Sequence, residues 1–300
     1  MTVRAAGPLL GGFPGCAVLV LGLLVSGADS RAAVLGPLPV AMAAHRAVYD
    51  LTLDSVHGSD TVAASGRMTY QVTDACTGWA TQQQLQLHTV TREGQATDLV
   101  SDYATLESKD GSHLNFDMKQ RANGEVTQQL RGEATLYAPG YAPGNAPGNA
   151  HGRHGAAGGQ IHYMLPKPAT VSLPAGTLFP MAHTAAIIQA AQAGLKSIAP
   201  LLFDGTGPDG AQDTYVTILG WHPAPSRVDS GPYQRELAAL GSSRVHVAFF
   251  ARTPTTMTPD YETAMRYFDN GVADQITMDF GAFTMHGSLH TILLPKRAHC

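Results

Sequence analysis

Charge is what this chain has least of. Asp, Glu, Lys and Arg together make up 14% of 300 residues, against 44% hydrophobic. The 19 Lys and Arg are scattered singly and the formal net charge is −4. No basic run exists to track phosphates or anionic lipid, so nucleic acid is excluded as a general partner. Catalytic signatures are missing too: no Gly-x-Ser-x-Gly elbow, no His-Glu-x-x-His, no Walker loop and no Ser-x-x-Lys. Paired glycosidase carboxylates can stand far apart in sequence, but none is recognisable. Asp274 and Asp279 would face opposite sides of a strand; Asp260 and Glu262 share a face at a loop boundary and read as solvated surface. Cysteine is scarce, with three residues and no Cys-x-x-Cys to begin a zinc site.

The N-terminus has the form of a secretory leader. Arg4 is the positive flank, Cys16 to Val25 the apolar stretch, and Ser26-Gly27-Ala28 the small-residue cleavage site, with Arg31-Ala32-Ala33 as the alternative. Residues 1–28 are therefore expected to be removed and the rest exported to the periplasm; an uncleaved anchor is the other reading. The apolar run follows Cys16 rather than preceding it, which argues against a lipoprotein cysteine. Loss of Cys16 leaves Cys76 and Cys300. In an oxidising compartment such a pair is a disulfide candidate. Two unrelated thiols, or half a zinc site, are the alternatives.

Gly (32) and Pro (19) are abundant, as in turn-rich β proteins. Alternation of period two marks strands at Val48–Asp54, around Met68–Val72, and at Leu114–Met118, Thr127–Tyr137, Tyr215–Trp221, Tyr233–Leu240, Val245–Ala251, Tyr261–Phe268, Ala273–Phe280, Phe283–Gly287 and Leu289–Leu294. Asn123-Gly124 and Asn270-Gly271 mark hairpin tips. Arg67 to Leu87 reads as two strands joined at Cys76-Thr77-Gly78-Trp79. Trp79, Thr81, Gln83, Leu85 and Leu87 then share one face, and that face is polar in its middle. Residues 138–160 carry an Ala-Pro-Gly tandem repeat followed by a His-Gly stretch. They are expected to form a flexible loop, and His151, His154 and His162 do not complete a metal site.

One helix is expected, over about 180–202. Ile187, Ile188, Ala191, Leu195, Ile198 and Leu202 fall near helical spacing, and Thr184 or a residue just before it is the expected cap. So few charges imply burial, either as core packing or as a plug in a sheet cavity. Gly205 to Gly210 matches G-x-G-x-x-G formally, but it contains Pro208 and precedes a strand, so it reads as a turn. Asp204, Asp209 and Asp213 lack EF-hand spacing. The fold class is mainly β: an antiparallel sheet wound into a spiral or partly closed barrel around one buried helix, with 34–300 as a single domain.

Several ordered stretches resemble the EipB-like family of periplasmic cell-envelope integrity proteins. They are Tyr70-Gln71-Val72 through Cys76-Thr77-Gly78-Trp79, Leu173 to Pro180 with His183-Thr184, and Phe203-Asp204-Gly205. Pro259-Asp260-Tyr261-Glu262, Asp269-Asn270-Gly271-Val272 and Asp279 to Phe283 complete the set. The resemblance spans roughly 45–300. It implies a monomeric periplasmic protein with a spiral antiparallel sheet, and a disulfide falling on Cys76 and Cys300. It also implies a part in resistance to envelope stress, with a periplasmic tetratricopeptide-repeat protein as partner. No catalytic residues are established for the family, so none is carried over, and no cofactor is implied. The repeat at 138–150 departs from the family pattern. The expected function is thus non-enzymatic: support of envelope integrity by binding a lipid or lipoprotein-like ligand, in a cavity lined by Phe, Leu and Met, or a protein partner on an exposed surface. An envelope hydrolase acting on glycan or lipid is the alternative.

Overall fold

The computed structural model describes residues 40–58, 60–137, 158–225, 234–252, 258–295 and 300. The leader lies outside the described residues. So do residues 138–157, with His151 and His154; the expected loop does not reach 160, because Gly159 and Gln160 already belong to a strand.

Six long strands come first: β1 His45–Val56, β2 Thr61–Asp74, β3 Gly78–Thr91, β4 Ala96–Ser108, β5 His113–Ala122 and β6 Glu125–Leu136. β7 Gly159–Leu165, β8 Ala169–Leu173 and β9 Thr177–Leu178 lead into helix α1, Pro180–Gln192. β10 Ser197–Ile198, β11 Leu201–Leu202 and β12 Gln212–His222 precede the short helix α2, Gln234–Ala238. β13 Ser242–Phe250, β14 Tyr261–Phe268, β15 Ala273–Asp279 and β16 Phe283–Leu293 complete the chain.

All the strands belong to one sheet, ordered β8-β7-β6-β5-β4-β3-β2-β1-β16-β15-β14-β13-β12-β11-β9, with β10 also on β12. Pairing is antiparallel throughout except between β11 and β9. The first strand pairs with the last, so two meanders fuse through the β1–β16 ladder. The two ends of the strand order, β8 and β9, are joined by the short turn Pro174-Ala175-Gly176. The result is a nearly closed barrel, a form that leaves little free strand edge.

Helix α1 is buried on almost every side, with Met181, His183, Ala185, Ala186, Ile187, Ile188, Ala190 and Ala191 all inside. A helix apolar all round belongs in an interior. It is shorter than the sequence pattern suggests, ending at Gln192 rather than near residue 202. Gly194 takes a left-handed φ of +76° and the Leu195 N–H closes on the Ala190 carbonyl. Pro200 further on disfavours helix at the residue before it. Ile198 and Leu202, which continue the helical spacing, instead lie in β10 and β11. Thr184 is not the cap. Phe179 occupies that position without a side-chain bond, and the capping group comes from another element, described below.

Two more sequence expectations change. The expected strand Tyr233–Leu240 is overturned, since Gln234–Ala238 is helical; Tyr233 itself lies outside the described residues. Leu237 is wholly buried from this helix, and Leu240, in the turn just after it, packs against the same cluster. β16 runs unbroken through Ser288. β4 was not anticipated at all.

The core falls into three parts. One holds Tyr49, Leu51, Phe268, Met285 and neighbours from both chain ends; one holds Phe116, Tyr163, Phe179 and Phe203; the third sets α1 against β12 and β13. In the second, Phe203 makes edge contacts with Phe116, Tyr163 and Phe179 at 5.4–6.4 Å between ring centres. The turn after Phe203 is held inside the barrel by strand side chains. The Tyr103 hydroxyl donates to the Asp204 carbonyl, Tyr163 to the Gly207 carbonyl at 2.9 Å, and Gln128 to the Thr206 carbonyl at 3.2 Å. Gly205 has φ +78°, and a Cβ there would meet the Phe116 ring at 2.5 Å. The G-x-G-x-x-G match is therefore an internal turn between β11 and β12.

A disulfide joins Cys76 to Cys300, 224 residues apart. Cys76 has a left-handed φ of +64° in the turn between β2 and β3, and its N–H donates to Asp74 Oδ1 at 2.9 Å. Asp74 also pairs with Lys109 at 2.6 Å, and Lys109 sits 5.0 Å above the Trp79 ring. The turn is thus fixed from several sides where the C-terminal residue attaches.

Candidate functional site: an interior cavity

The barrel is not filled. A cavity of about 480 Å³ lies between the inward faces of β1–β6, the inward faces of β14 and β15, and the first turn of α1. That volume lies within the range of small-molecule sites. A second chamber of about 300 Å³ lies beside it, and both have Ser101 and Gln120 in their walls.

The larger chamber departs from the expected Phe, Leu and Met lining. Methionines are there, as Met68, Met118, Met265 and Met278, but tyrosine, glutamine and threonine share the wall with them. The polar middle of the β3 face is part of this wall, since Gln83 projects inward between buried Thr81 and Leu85. Register extends the pattern across four strands. Tyr70 of β2 pairs with Gln83 of β3, and Ser101 of β4 pairs with Gln120 of β5. Gln83 and Ser101 sit on adjacent strands, displaced by one inward position, because Gln83 pairs with Tyr103. Beyond Ser101 and Gln120 the smaller chamber is mostly apolar, with Leu85, Leu87, Leu99, Phe280 and Phe283 in its wall beside the hydroxyls of Thr89 and Thr97. Phe280 and Phe283 stack at 5.3 Å.

Titratable groups surround the larger chamber, and most are already committed. Glu107, 2% exposed, accepts from the Met181 N–H at 2.7 Å and from the Ala182 N–H at 2.9 Å. These are orphan donors of the first turn of α1, so a strand carboxylate supplies the cap. Burial pushes its pKa up to about 7, against the lowering effect of those two bonds. Asp204, raised by burial, accepts from both the N–H and hydroxyl of Thr206. His183 is held down to about 4 by burial, and its Nε2 faces the Thr214 hydroxyl at 3.1 Å. His45, 2% exposed, bonds the Ala43 carbonyl through Nδ1 at 2.8 Å, while its Nε2 has no partner among the described residues. Burial lowers its pKa too. Tyr70, Tyr103 and Tyr267 are only half-buried, yet burial raises all three pKa values. The surface they expose faces the chamber, where hydration is poorer than in bulk water.

Carboxylates named from the sequence are dispersed. Asp274 is buried and paired with Arg266 at 2.5 Å. Asp279 accepts from the Gly281 N–H, and Asp260 from the Ala251 N–H. Glu262 lies near His246 at 3.4 Å. His162 is exposed on β7, near the Thr170 hydroxyl. Among the described residues no three His, Cys, Asp or Glu side chains gather as metal ligands would.

Fold and site together define a nearly closed antiparallel β-barrel protein with a capped interior helix and an amphipathic internal cavity. More particularly, the chain belongs to the EipB-like family, whose sequence model matches residues 38–295. It is 27% identical over 269 residues to the cell envelope integrity protein EipB of Brucella abortus (strain 2308), covering 88% of this chain and 86% of that one. It is also similar to the crystal structure of a beta-barrel-like protein of a domain of unknown function from Brucella abortus. That match has a TM-score of 0.72 and 26% identity, and covers 86% of this chain and 100% of the other.

Proposed function

We propose that this chain is a periplasmic, non-enzymatic protein that supports cell-envelope integrity by holding a lipid or lipoprotein-like ligand inside its barrel. The observation that carries the reading is the cavity of about 480 Å³, walled by methionine and tyrosine with interspersed amide and hydroxyl groups and continued by an apolar chamber. Such a wall suits a molecule with an apolar body and a hydrogen-bonding end. The envelope role is supported by the relative's name and by family membership. Export by the N-terminal leader belongs to the proposal and is supported by the leader pattern and by a disulfide, which suits an oxidising compartment.

The hydrolase alternative needs shifted acid or base groups free to act. Glu107 and Asp204 spend their hydrogen-bonding capacity on the fold, His183 turns its Nε2 to Thr214, and the unpartnered Nε2 of His45 has no acid or nucleophile bonded to it among the described residues. A tetratricopeptide-repeat periplasmic protein is the partner class we propose, as the receiver or supplier of cargo. Native mass spectrometry of protein purified gently from the periplasm tests the central claim. A co-purifying amphipathic mass, released by organic extraction, is expected. Protein that carries nothing and takes up no amphiphile in titration would overturn it.

A further inference from the structure

Among the described residues, the walls of the two chambers contain no lysine and no arginine. Their histidines, His45 and His183, have pKa values lowered by burial and are neutral at neutral pH. The remaining acidic group, Asp204, adds no attraction for an anion. The one long helix that points its N-terminus toward this interior has that end filled by the Glu107 carboxylate. An anionic head would therefore be buried with nothing to offset its lost hydration.

Polar capacity is nevertheless present and unused. Tyr70, Gln83, Ser101 and Gln120 make no side-chain hydrogen bond among the described residues, although their neighbours Tyr103, Gln128 and Tyr49 do. They form one diagonal row across β2, β3, β4 and β5. All four are only partly buried, and each contributes to the wall of the larger chamber, where a ligand could reach it. The row ends at Ser101 and Gln120, where the apolar chamber begins.

We infer that the ligand is an uncharged amphiphile, with a hydroxyl- or amide-rich head on the Tyr70–Gln83–Ser101–Gln120 row and its apolar chain in the Leu85–Phe283 chamber. This rests on the cavity-binding reading above and adds the charge and orientation of the occupant. A neutral monoacylglycerol fits this chemistry. Free fatty acids and anionic phospholipids do not.

Calorimetric titration of the full mature protein with three lauroyl probes below their aggregation concentrations tests it. Monolaurin offers hydroxyl donors and acceptors, methyl laurate the same chain without donors, and laurate the same chain with a charge. Monolaurin should bind one to one, and laurate at least about tenfold more weakly, a difference of about 1.4 kcal/mol. Gln120→Leu should weaken monolaurin by about tenfold while leaving methyl laurate unchanged, and Gln83→Met should do the same if Gln120→Leu misfolds. Laurate binding as tightly as monolaurin would overturn the inference and leave cavity binding intact. Unchanged monolaurin affinity in well-folded variants of both glutamines would overturn the placement of the head. Failure of all three probes would overturn both the inference and the function it rests on.

Discussion

Replacing Glu107 with Gln should change not only how stable the protein is but how its stability depends on pH. Glu107 is a buried carboxyl whose two oxygens take the Met181 and Ala182 N–H groups. Its folded pKa stands at about 7, against 4.5 for the free side chain. A carboxyl whose pKa is raised on folding holds its proton better in the folded state. Its favourable contribution is therefore complete below about 4.5 and is lost as pH rises through about 7. At about 1.4 kcal/mol per pKa unit, the loss comes to roughly 3 kcal/mol across that window. Gln cannot ionise, so its variant lacks this slope. It also turns an amide N–H₂ toward a helix N–H, leaving one donor unsatisfied at a cost of about 1–3 kcal/mol. The stability gap between wild type and Glu107→Gln should thus be widest in mild acid and close by roughly 3 kcal/mol as the carboxyl ionises. Urea unfolding followed by circular dichroism, between about pH 5 and about pH 8, measures it. Asp50, Asp74, Asp102 and Asp110 do not blur this window. Their pKa values are lowered by hydrogen-bonded partners, led by Arg67, Lys109, Gln84 and Ser108, so their contributions are lost only in stronger acid. A gap that stays constant over the range would refute the assignment of Glu107 as an ionising cap.

Cys76→Ser opens a loop of 224 residues, which in the chain-entropy account costs up to about 5 kcal/mol. A lowered melting temperature and faster proteolysis should follow, with a near-native circular dichroism spectrum, and free thiols in the oxidised wild type would contradict it. Gly205→Ala combines a left-handed φ with a 2.5 Å clash against Phe116. A loss of about 2 kcal/mol or more is expected in denaturant melts, and an unchanged melt would mean that the turn can relax away from the ring. Arg266→Met leaves Asp274, 3% exposed, without its guanidinium. It should cost about 3–5 kcal/mol, and Arg266→Met with Asp274→Leu should cost clearly less. Equal losses in the two variants would show that the ion pair is not what holds β14 to β15.

The parts of the fold that the sequence revealed are those where side-chain pattern and backbone need agree. Asn123 and Asn270-Gly271 sit at the turns they mark, with Asn123, Gly124 and Gly271 at positive φ. The uncharged stretch from Pro180 is an interior helix because nothing in it wants water. β4 was hidden for the opposite reason. Its inward residues are Leu99, Ser101, Tyr103, Thr105 and Glu107, so alternation in hydrophobicity disappears where the strand serves the cavity and the helix cap. The cap itself has no local signal, since Glu107 lies 73 residues before Pro180 and only the folded sheet brings them together. Tyr233–Leu240 reads as a strand because it has few apolar residues to set a period, whereas Leu237 is buried from a short helix and Leu240 packs beside it from the turn that follows.

The polar groups inside the barrel divide by whether folding makes use of them. Glu107, Asp204, Tyr103, Asp274 and the Thr81–Thr105 hydroxyl pair each complete a cap, a turn, an ion pair or a bridge between strands. Removing any one would strand its partner, so architecture explains their presence. Among the described residues Tyr70, Gln83, Ser101 and Gln120 complete no such contact. An apolar residue at each position would extend the core and stabilise the barrel, so stability does not account for their presence. The same division bears on catalysis. An active site needs groups whose ionisation is altered and whose hydrogen-bonding capacity is free. Among the described residues the carboxyls with raised pKa values are occupied, His45 keeps an unpartnered Nε2, and the other free groups, a phenol, a hydroxyl and two amides, are neutral. Neutral groups of that kind select a bound molecule by its hydrogen bonds.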